Sequence, residues 1–546
     1  MKERYLDIME KALSAYDVAR IRAYIEEVKR DGLTEHGFAR MGANIGILLA
    51  NGRCAAYYDL FLEIMDICCR EMPRCKAAND FTIREVCCAL MLLEEKGLLP
   101  PERLALWKSQ LAAFEPWQYY TCIAPTPDTP VGNWAAFAGL SEFVRCKWLG
   151  GDATEFVDWQ FSSLFPWFDE SGMYMDFPPA NPMVYDIVTR ILCSALLAFG
   201  YKGKLADRLT EVLDKTVDIT LQMQSVTGEI PFGGRSNQFL HNEPLYISLC
   251  EMEARRLMEK GDADRAAKLR GAARLAAEHT WQKMNEEPLG HMKNHYHVDS
   301  FIGAEGYGYF NKYMITAATN IYLGLLFADE SVIPCEPAAK TGGYAAVTSD
   351  AFHKVFLNAG GYFLEFDTAA DFHYDACGLG RIHKAGVPSA LCLTVPFPGE
   401  HPSYGLEAPN RGPMSLCSAV GDLVGAEKTY RLRHAEAAPE AGEVSFDVTL
   451  SPEITVTEGY RVTENGVEIT LSGHPDVEYC IPVFEFDGLN TTEITKTSRE
   501  ITVTYQGSKC TWQAEGIGED YTFYYNRNGR YRVYRARAKE FFLTLE

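Results

Sequence analysis

Residues 335–343 read CEPAAKTGG, and the hydrophobic pattern has a different period on each side of them. Before this stretch, apolar residues recur at three and four positions. Examples are DFTIREVCCALMLLEEKG (80–97), ERLALWKSQLAAF (102–114), NWAAFAGLSEFVRCKWLG (133–150), NPMVYDIVTRILCSALLAFG (181–200), KLADRLTEVLDKTVDITLQMQ (204–224) and EPLYISLCEMEARRLMEKG (243–261). That spacing gathers apolar side chains on one face of a helix. After the stretch, runs of Thr, Val, Tyr and Phe alternate at period two, the pattern of half-buried strands. YRVTENGVEITLSG (460–473) reads as a hairpin in which Asn465-Gly466 supplies the positive φ values of a tight turn. REITVTYQG, DYTFYYNRNG and YRVYRARAKEFFLTLE read as further antiparallel strands.

The two periods predict an α+β multidomain chain: a helical, catalytic domain over 1–335, then an antiparallel β-sandwich domain over 336–546. About a dozen helices with short connections pack as antiparallel pairs, and such pairs can close into an α/α toroid. Closure brings loops far apart in sequence to one rim. A chain of 546 residues supports more than one core, and an apolar fraction of 47% argues for order throughout.

The formal charge of −22 argues against a nucleic acid or an anionic membrane as partner, because binding phosphates needs a basic face. A local basic groove can still hold one or two carboxylates. The opening MKERYLDIMEKALSAYD carries charges where a secretory peptide would be apolar, and no later run approaches a membrane span, so a soluble cytoplasmic protein is expected. Cys68-Cys69 and Cys87-Cys88 lack zinc-ligand spacing and sit in apolar helical stretches, so they read as reduced core residues.

Four interruptions of the helical pattern are rich in polar chemistry: TPVGNW (129–134), ESGMYMDFPPANPMVYD (170–186), GEIPFGGRSNQFLHNE (228–243) and GHMKNHYHVDSFIGAEGYGYFNKY (290–313). In the third, Arg235 can clamp a carboxylate through paired hydrogen bonds, with Asn237 or Gln238 adding donors. The alternative is that Arg235 pairs with a structural carboxylate and Asn242 caps the next helix. His241 and Glu243 are acid or base candidates, or else a cap and a packed side chain. His295, His297 and Asp299 alternate and can share one side of an extended segment. Without a fourth ligand of clear spacing, substrate contact or structural hydrogen bonding is preferred to a metal.

Tyr307 lies between Gly306 and Gly308, where the backbone can approach a ligand. A neighbouring Arg235 or protonated histidine would lower its pKa and make it a proton acceptor. Tyr309 and Tyr313 read as helix-start residues packed into the core. Asp176 and Asp186, with Tyr174 and Tyr185 beside them, offer the carboxyl pair a glycoside hydrolase needs, unless Asp186 only makes a structural hydrogen bond within its helix. Trp117, Trp134, Trp159 and Trp167 offer flat faces for sugar stacking or serve as core.

Gly132-Asn133-Trp134, the GGRSNQFLHNE loop, EGYGYFNKY, and FLNAGGYFLEFDTAADFHYDACGLGRIHKAGVP together resemble the carbohydrate-active enzymes that join an α/α toroid to a C-terminal antiparallel β-sandwich, including the heparinase II/III-like and related polysaccharide lyases. The resemblance implies uronic-acid chemistry on an oligosaccharide, with β-elimination as the leading reaction. On that pattern Arg235 and Asn237 neutralise the carboxylate. Tyr307 serves as base or acid and His241 takes the complementary role. Asn133, Trp134, Gln238, His295 and His297 contact the sugar. Neutralisation is needed because the carbon acid beside an ionised carboxylate is very weak. The family's His-x-His-x-Asp run is Phe372-His373-Tyr374-Asp375 here, with His383 further on, so its structural metal is not carried over and no cofactor is expected. The competing readings are an exo-acting hydrolase such as a β-glucuronidase, using two among Asp176, Asp186, Glu243 and Glu305, and a noncatalytic glycan-binding protein.

Overall fold

The structure, a computed structural model, describes residues 1–179, 183–399, 410, 412, 414, 419–420, 428–475 and 477–546. Six helices form a closed inner ring: α1 (Gly37–Ala50), α2 (Asn79–Glu95), α3 (Trp134–Leu149), α4 (Met183–Ala198), α5 (Asn242–Glu259) and α6 (Phe310–Phe327). Each packs on the next, and α6 packs back on α1. The ring helices are buried on nearly all sides, α1 along its whole length, as expected of a helix enclosed by other helices. The outer layer includes Lys2–Ser14, Tyr58–Glu71, Pro101–Ala112, Thr154–Ser162, Ala206–Lys215 and Ala263–Met284. These are one-sided: Ala206–Lys215 buries only Leu209, Val212 and Leu213. The α/α toroid follows from this difference between layers, since only the inner helices have apolar residues all round.

Two boundaries differ from the sequence expectation. The helix expected over 204–224 breaks at Thr216, giving Ala206–Lys215 and Val217–Gln222. There the Thr216 hydroxyl donates to Leu213 O at 3.1 Å, a local bond that competes with the helical ladder. The helix expected over 181–200 begins at Met183, and residues 181 and 182 lie outside the described residues. Among the described residues, no helix is long and apolar enough to cross a membrane.

After Phe327 the chain runs through the short helix Ala338–Thr341 into strands β1 (Tyr344–Val347), β2 (Lys354–Ala359), β3 (Tyr362–Asp367) and β4 (Gly378–Lys384), an antiparallel sheet in sequential order. β2 and β3 are buried on both faces. Alternate residues go to different cores: Phe356 and Phe363 join the helical core, whereas Val355, Leu357 and Leu364 pack with the outer strands. Period two thus makes this sheet the layer between toroid and sandwich. Its sandwich partner is an eight-stranded antiparallel sheet, and a smaller sheet contains Glu478–Phe486 and the hairpin formed by Ile517–Asn526 and Gly529–Ala536.

The hairpin expected at 460–473 is present with its turn one residue earlier. Thr463 pairs with Gly466, so Glu464 and Asn465 form the turn and Gly466 begins the return strand at φ +153°. A Cβ at Gly466 would lie 2.5 Å from Leu543 O, so glycine is needed there for close approach to the neighbouring strand.

Candidate active site

The starts of the ring helices lie on one rim: His36, Asn133, His241 and Tyr309 are the residues immediately before α1, α3, α5 and α6. The loop before α5 holds the rim together. Gly233 and Gly234 take φ values of +145° and +69°, and Ser236 and Gln238 follow at +62° and +65°. Positive φ costs a residue with a Cβ about 1–2 kcal/mol, so two such residues in three positions mark a loop over-determined by its surroundings. Asn242 supplies part of that support. It accepts from Phe239 N at 3.0 Å and donates to Ser236 O at 3.0 Å, thereby closing the loop on itself instead of capping α5, the role the alternative reading of this segment gave it.

Three consecutive residues of this loop each reach a group from a different part of the chain. Gly234 N donates to Asp375 Oδ2 at 2.7 Å. Arg235 forms an ion pair with Asp176, whose other oxygen accepts from Asn133 N at 3.1 Å. Ser236 Oγ is 2.8 Å from the Tyr307 hydroxyl and 3.0 Å from the Tyr185 hydroxyl, and Ser236 N donates to Glu305 Oε1 at 2.5 Å. The guanidinium of Arg235 lies 4.3 Å from the Tyr185 ring centre and 5.6 Å from that of Phe177. Its side chain stays 31% exposed, so one edge faces the cleft. The cleft is lined by Asp176, Gly234, Arg235, Lys354, Asp371 and Asp375, among others, and runs between the toroid rim and the first sheet.

The electrostatics follow from burial and partners. Burial pushes the Asp375 carboxyl up to about 6, against the opposing pull of Lys354 and the Gly234 N–H. Burial also raises Asp176, opposed by Arg235. For Arg235, burial works against the charge, but Tyr185 and Asp176 hold its pKa above the ordinary value. Tyr307 moves opposite to the expectation of a lowered pKa. Burial of the hydroxyl, then the neighbouring Tyr185 and Glu305, raises it, so the phenol keeps its proton.

The structure separates the sequence candidates. Asp176 and Arg235 line the cleft, and Tyr307 joins the same loop through Ser236. Trp134 lies on the same rim, its ring 4.5 Å from that of Phe81, and Asn133 contributes its backbone N–H. Asn237 and Gln238 are buried within the loop: Asn237 donates to Pro231 O at 3.0 Å and accepts from Gln238 Nε2 at 2.9 Å, so neither amide is directed at a substrate carboxylate. His241 is 4% exposed, stacked on Phe239 at 5.1 Å and held neutral, its pKa pushed down to about 3 by burial and then by Arg40. Glu243 is buried against Lys293 at 2.6 Å and Ile230 N at 3.2 Å, and Asp186 against Arg190 at 2.5 Å.

His295 and His297 do not share one side. The segment turns into a short 3-10 helix at Val298–Ser300, leaving the His297 side chain 78% exposed while His295 lies between Asp487 at 2.9 Å and Glu286 at 3.3 Å. Those carboxylates raise His295 to about 9, a cationic brace between the domains. Tyr309, expected in the core, is 47% exposed. Cys68, Cys69, Cys87 and Cys88 are buried and unbridged.

Three participants escaped the sequence reading. Asp375 was read only as a remnant of a metal motif, and Ser236 only as part of its loop. Arg527 lies at the tip of the hairpin Ile517–Asn526/Gly529–Ala536, donating to Glu305 Oε1 at 2.8 Å and Asn237 O at 2.9 Å. The polar NRNG at that tip was the available signal. The residues of the metal motif do not fit a metal. Asp375 is turned to Gly234 N, and the two nitrogens of His383 meet Ser225 Oγ at 2.7 Å and Thr394 Oγ1 at 2.8 Å. Among the described residues no group of three or more His, Cys, Asp or Glu is placed to hold a metal ion.

The fold is thus a closed helical toroid with antiparallel sheets seated on its rim and a cleft of arginine, carboxyls and tyrosine between them. No protein-family model matches the chain, and no curated protein matches its sequence. Among solved structures it is similar to heparan sulfate lyase HepC from Pedobacter heparinus (TM-score 0.43, 10% identity, covering 97% of this chain and 75% of that one). It is also similar to heparinase III (0.41, 9%, 98% and 91%) and to ODV-E66, a chondroitin lyase and baculovirus envelope protein (0.46, 10%, 93% and 76%).

Proposed function

We propose that the protein is a carbohydrate-active enzyme that cleaves a glycosidic bond at a uronic acid, with β-elimination as the leading reaction. The observation that carries this reading is the gathering of Asp375, Asp176 and Tyr307 by Gly234, Arg235 and Ser236. The exposed edge of Arg235 suits a substrate carboxylate, and charge neutralisation there acidifies the adjacent carbon. Asp375, raised to about 6, is ionised at neutral pH yet basic enough to accept that proton. Tyr307 keeps its proton and can donate it to the leaving oxygen, with Ser236 and Tyr185 in hydroxyl contact.

A second reading, hydrolysis, is favoured by the same Asp375. A carboxyl titrating near 6 that lines the same cleft as the carboxylate paired with Arg235 is an arrangement a glycosidase can use, with Asp375 as acid. One assay separates the two. Purified protein is incubated with glucuronate- and galacturonate-containing oligosaccharides across pH, with product mass and ultraviolet absorbance recorded. Elimination yields an absorbing unsaturated product without added water, and kcat/KM rises as pH passes 6. Hydrolysis yields a saturated product with one water incorporated, and kcat/KM falls as pH passes 6. Tyr307→Phe and Arg235→Met are expected to lower kcat/KM by at least roughly 10². Unchanged rates in both would remove them from the mechanism, and binding without any product would make the protein a glycan-binding one.

A further inference from the structure

The hairpin whose tip reaches the GGRS loop also carries an unusual outer surface. Its tip, Arg527-Asn528, is locked into the active-site loop by the Arg527 bonds and by Asn528 Nδ2 donating to Gln238 Oε1 at 3.2 Å. Strand alternation places Tyr521 and Phe523 on one face of Ile517–Asn526, opposite Tyr534 and Arg532 of the return strand. Tyr521 and Phe523 are 41% and 42% exposed with their rings 5.3 Å apart, and Tyr534 lies 5.4 Å from Tyr521, so the rings form one continuous surface patch instead of scattered side chains. Arg532 lies 4.8 Å from the centre of the Tyr521 ring, and Arg530 lies 5.0 Å from that of Phe523. Both arginines are held by one buried carboxylate, Glu485, through Nε at 2.7 Å for Arg530 and 2.6 Å for Arg532. Two cations thus share one anion. The two arginine side chains, 29% and 30% exposed, are fixed in place with positive charge to spare on a chain whose net charge is −22.

We infer that this face binds an acidic oligosaccharide and extends the cleft: the rings stack on sugar faces while Arg530 and Arg532 meet uronate carboxylates. Two properties of this surface select that occupant. Aromatic rings alternating with guanidinium groups suit a ligand whose apolar faces alternate with carboxylates, and the strand runs outward from Arg527, so a chain with one unit in the cleft continues along it. Beyond Tyr521, Glu519 is paired with Lys496 at 3.1 Å, and that ammonium lies 5.7 Å from the centre of the Tyr534 ring. The direction of the track rests on the cleft being the cleavage site, whereas the surface stands on its own side chains.

The test uses the full-length chain carrying Tyr307→Phe to slow turnover. Calorimetric titration is run with hexagalacturonate, a hyaluronan hexasaccharide, the corresponding disaccharides and neutral maltohexaose. At least one acidic hexasaccharide should bind about tenfold tighter than its disaccharide. Adding Phe523→Ala and Arg532→Gln should remove that gap and leave disaccharide binding unchanged, with Tyr521→Ala removing part of it. These positions are partly exposed, and unchanged thermal melting checks that the variants fold. No gap in the parent chain, a gap that survives the double substitution, or equally tight maltohexaose binding would each overturn the inference. A gap that depends on Phe523 and Arg532, with no product from either hexasaccharide using the unsubstituted protein, would keep this surface and reject the cleavage reading.

Discussion

On the proposed reading, Asp375 is set for chemistry at a cost to the fold. Its ordinary pKa near 3.8 is raised to about 6 in the folded protein, so the native state binds its proton more tightly than the unfolded chain does. The resulting stabilisation is complete below about pH 4, fades as pH rises through 6, and is absent at neutral pH, where a buried charge remains. Asparagine keeps the acceptor for Gly234 N without ionising. Asp375→Asn should therefore be the more stable protein at pH 7.5, by up to about 3 kcal/mol, and no more stable at pH 4. Urea unfolding at the two pH values checks this, and an equal difference at both would refute it. The same variant should lose activity, so stability and turnover should move in opposite directions.

Among the elements, the hairpin ending at Arg527 ties the sheets to the toroid. Glu305 is 2% exposed and its partner Arg527 4% exposed, so truncating the cation leaves a buried anion without its counter-ion. Arg527→Ala should cost about 3–5 kcal/mol of stability, and neutralising the orphaned acid in the Arg527→Ala, Glu305→Gln double variant should recover part of the loss. Denaturant midpoints of the four proteins in that cycle give the coupling, and strictly additive effects would show that the pair does not act as a unit. Such bonds explain the uneven legibility of the elements. The helices of the ring and the strands of the sheets could be read because burial imposes a period on each. The turn at Gly466 came out one residue off because its position is fixed by the close approach of Leu543, on a strand far along the chain.

For the whole molecule, the site belongs to both domains. The toroid brings Arg235, Asp176, Ser236 and Tyr307 to its rim, while the β region supplies Asp375 and the Arg527 brace. Residues 1–335 expressed alone should therefore be inactive on any oligosaccharide the intact protein cleaves, even where circular dichroism shows the helices retained. Cleavage by that fragment at the rate of the intact chain would reduce the β region to a buttress and remove Asp375 from the chemistry.

The sequence by itself determined the two-part architecture, because periods of 3.6 and 2 are local consequences of which faces must be buried. It also marked the GGRS loop as a candidate site, since no helix or simple turn gains from that composition. Only the tertiary structure decided which polar residues share a cleft. Asn237, Gln238, His241 and Glu243 follow Arg235 closely in sequence, yet they turn inward to support the loop. Asp375 enters from 141 residues away because its carboxylate is the one that meets the Gly234 N–H. A side chain's role depends on the partner opposite it, and over such separations partners are set by the packing of whole layers.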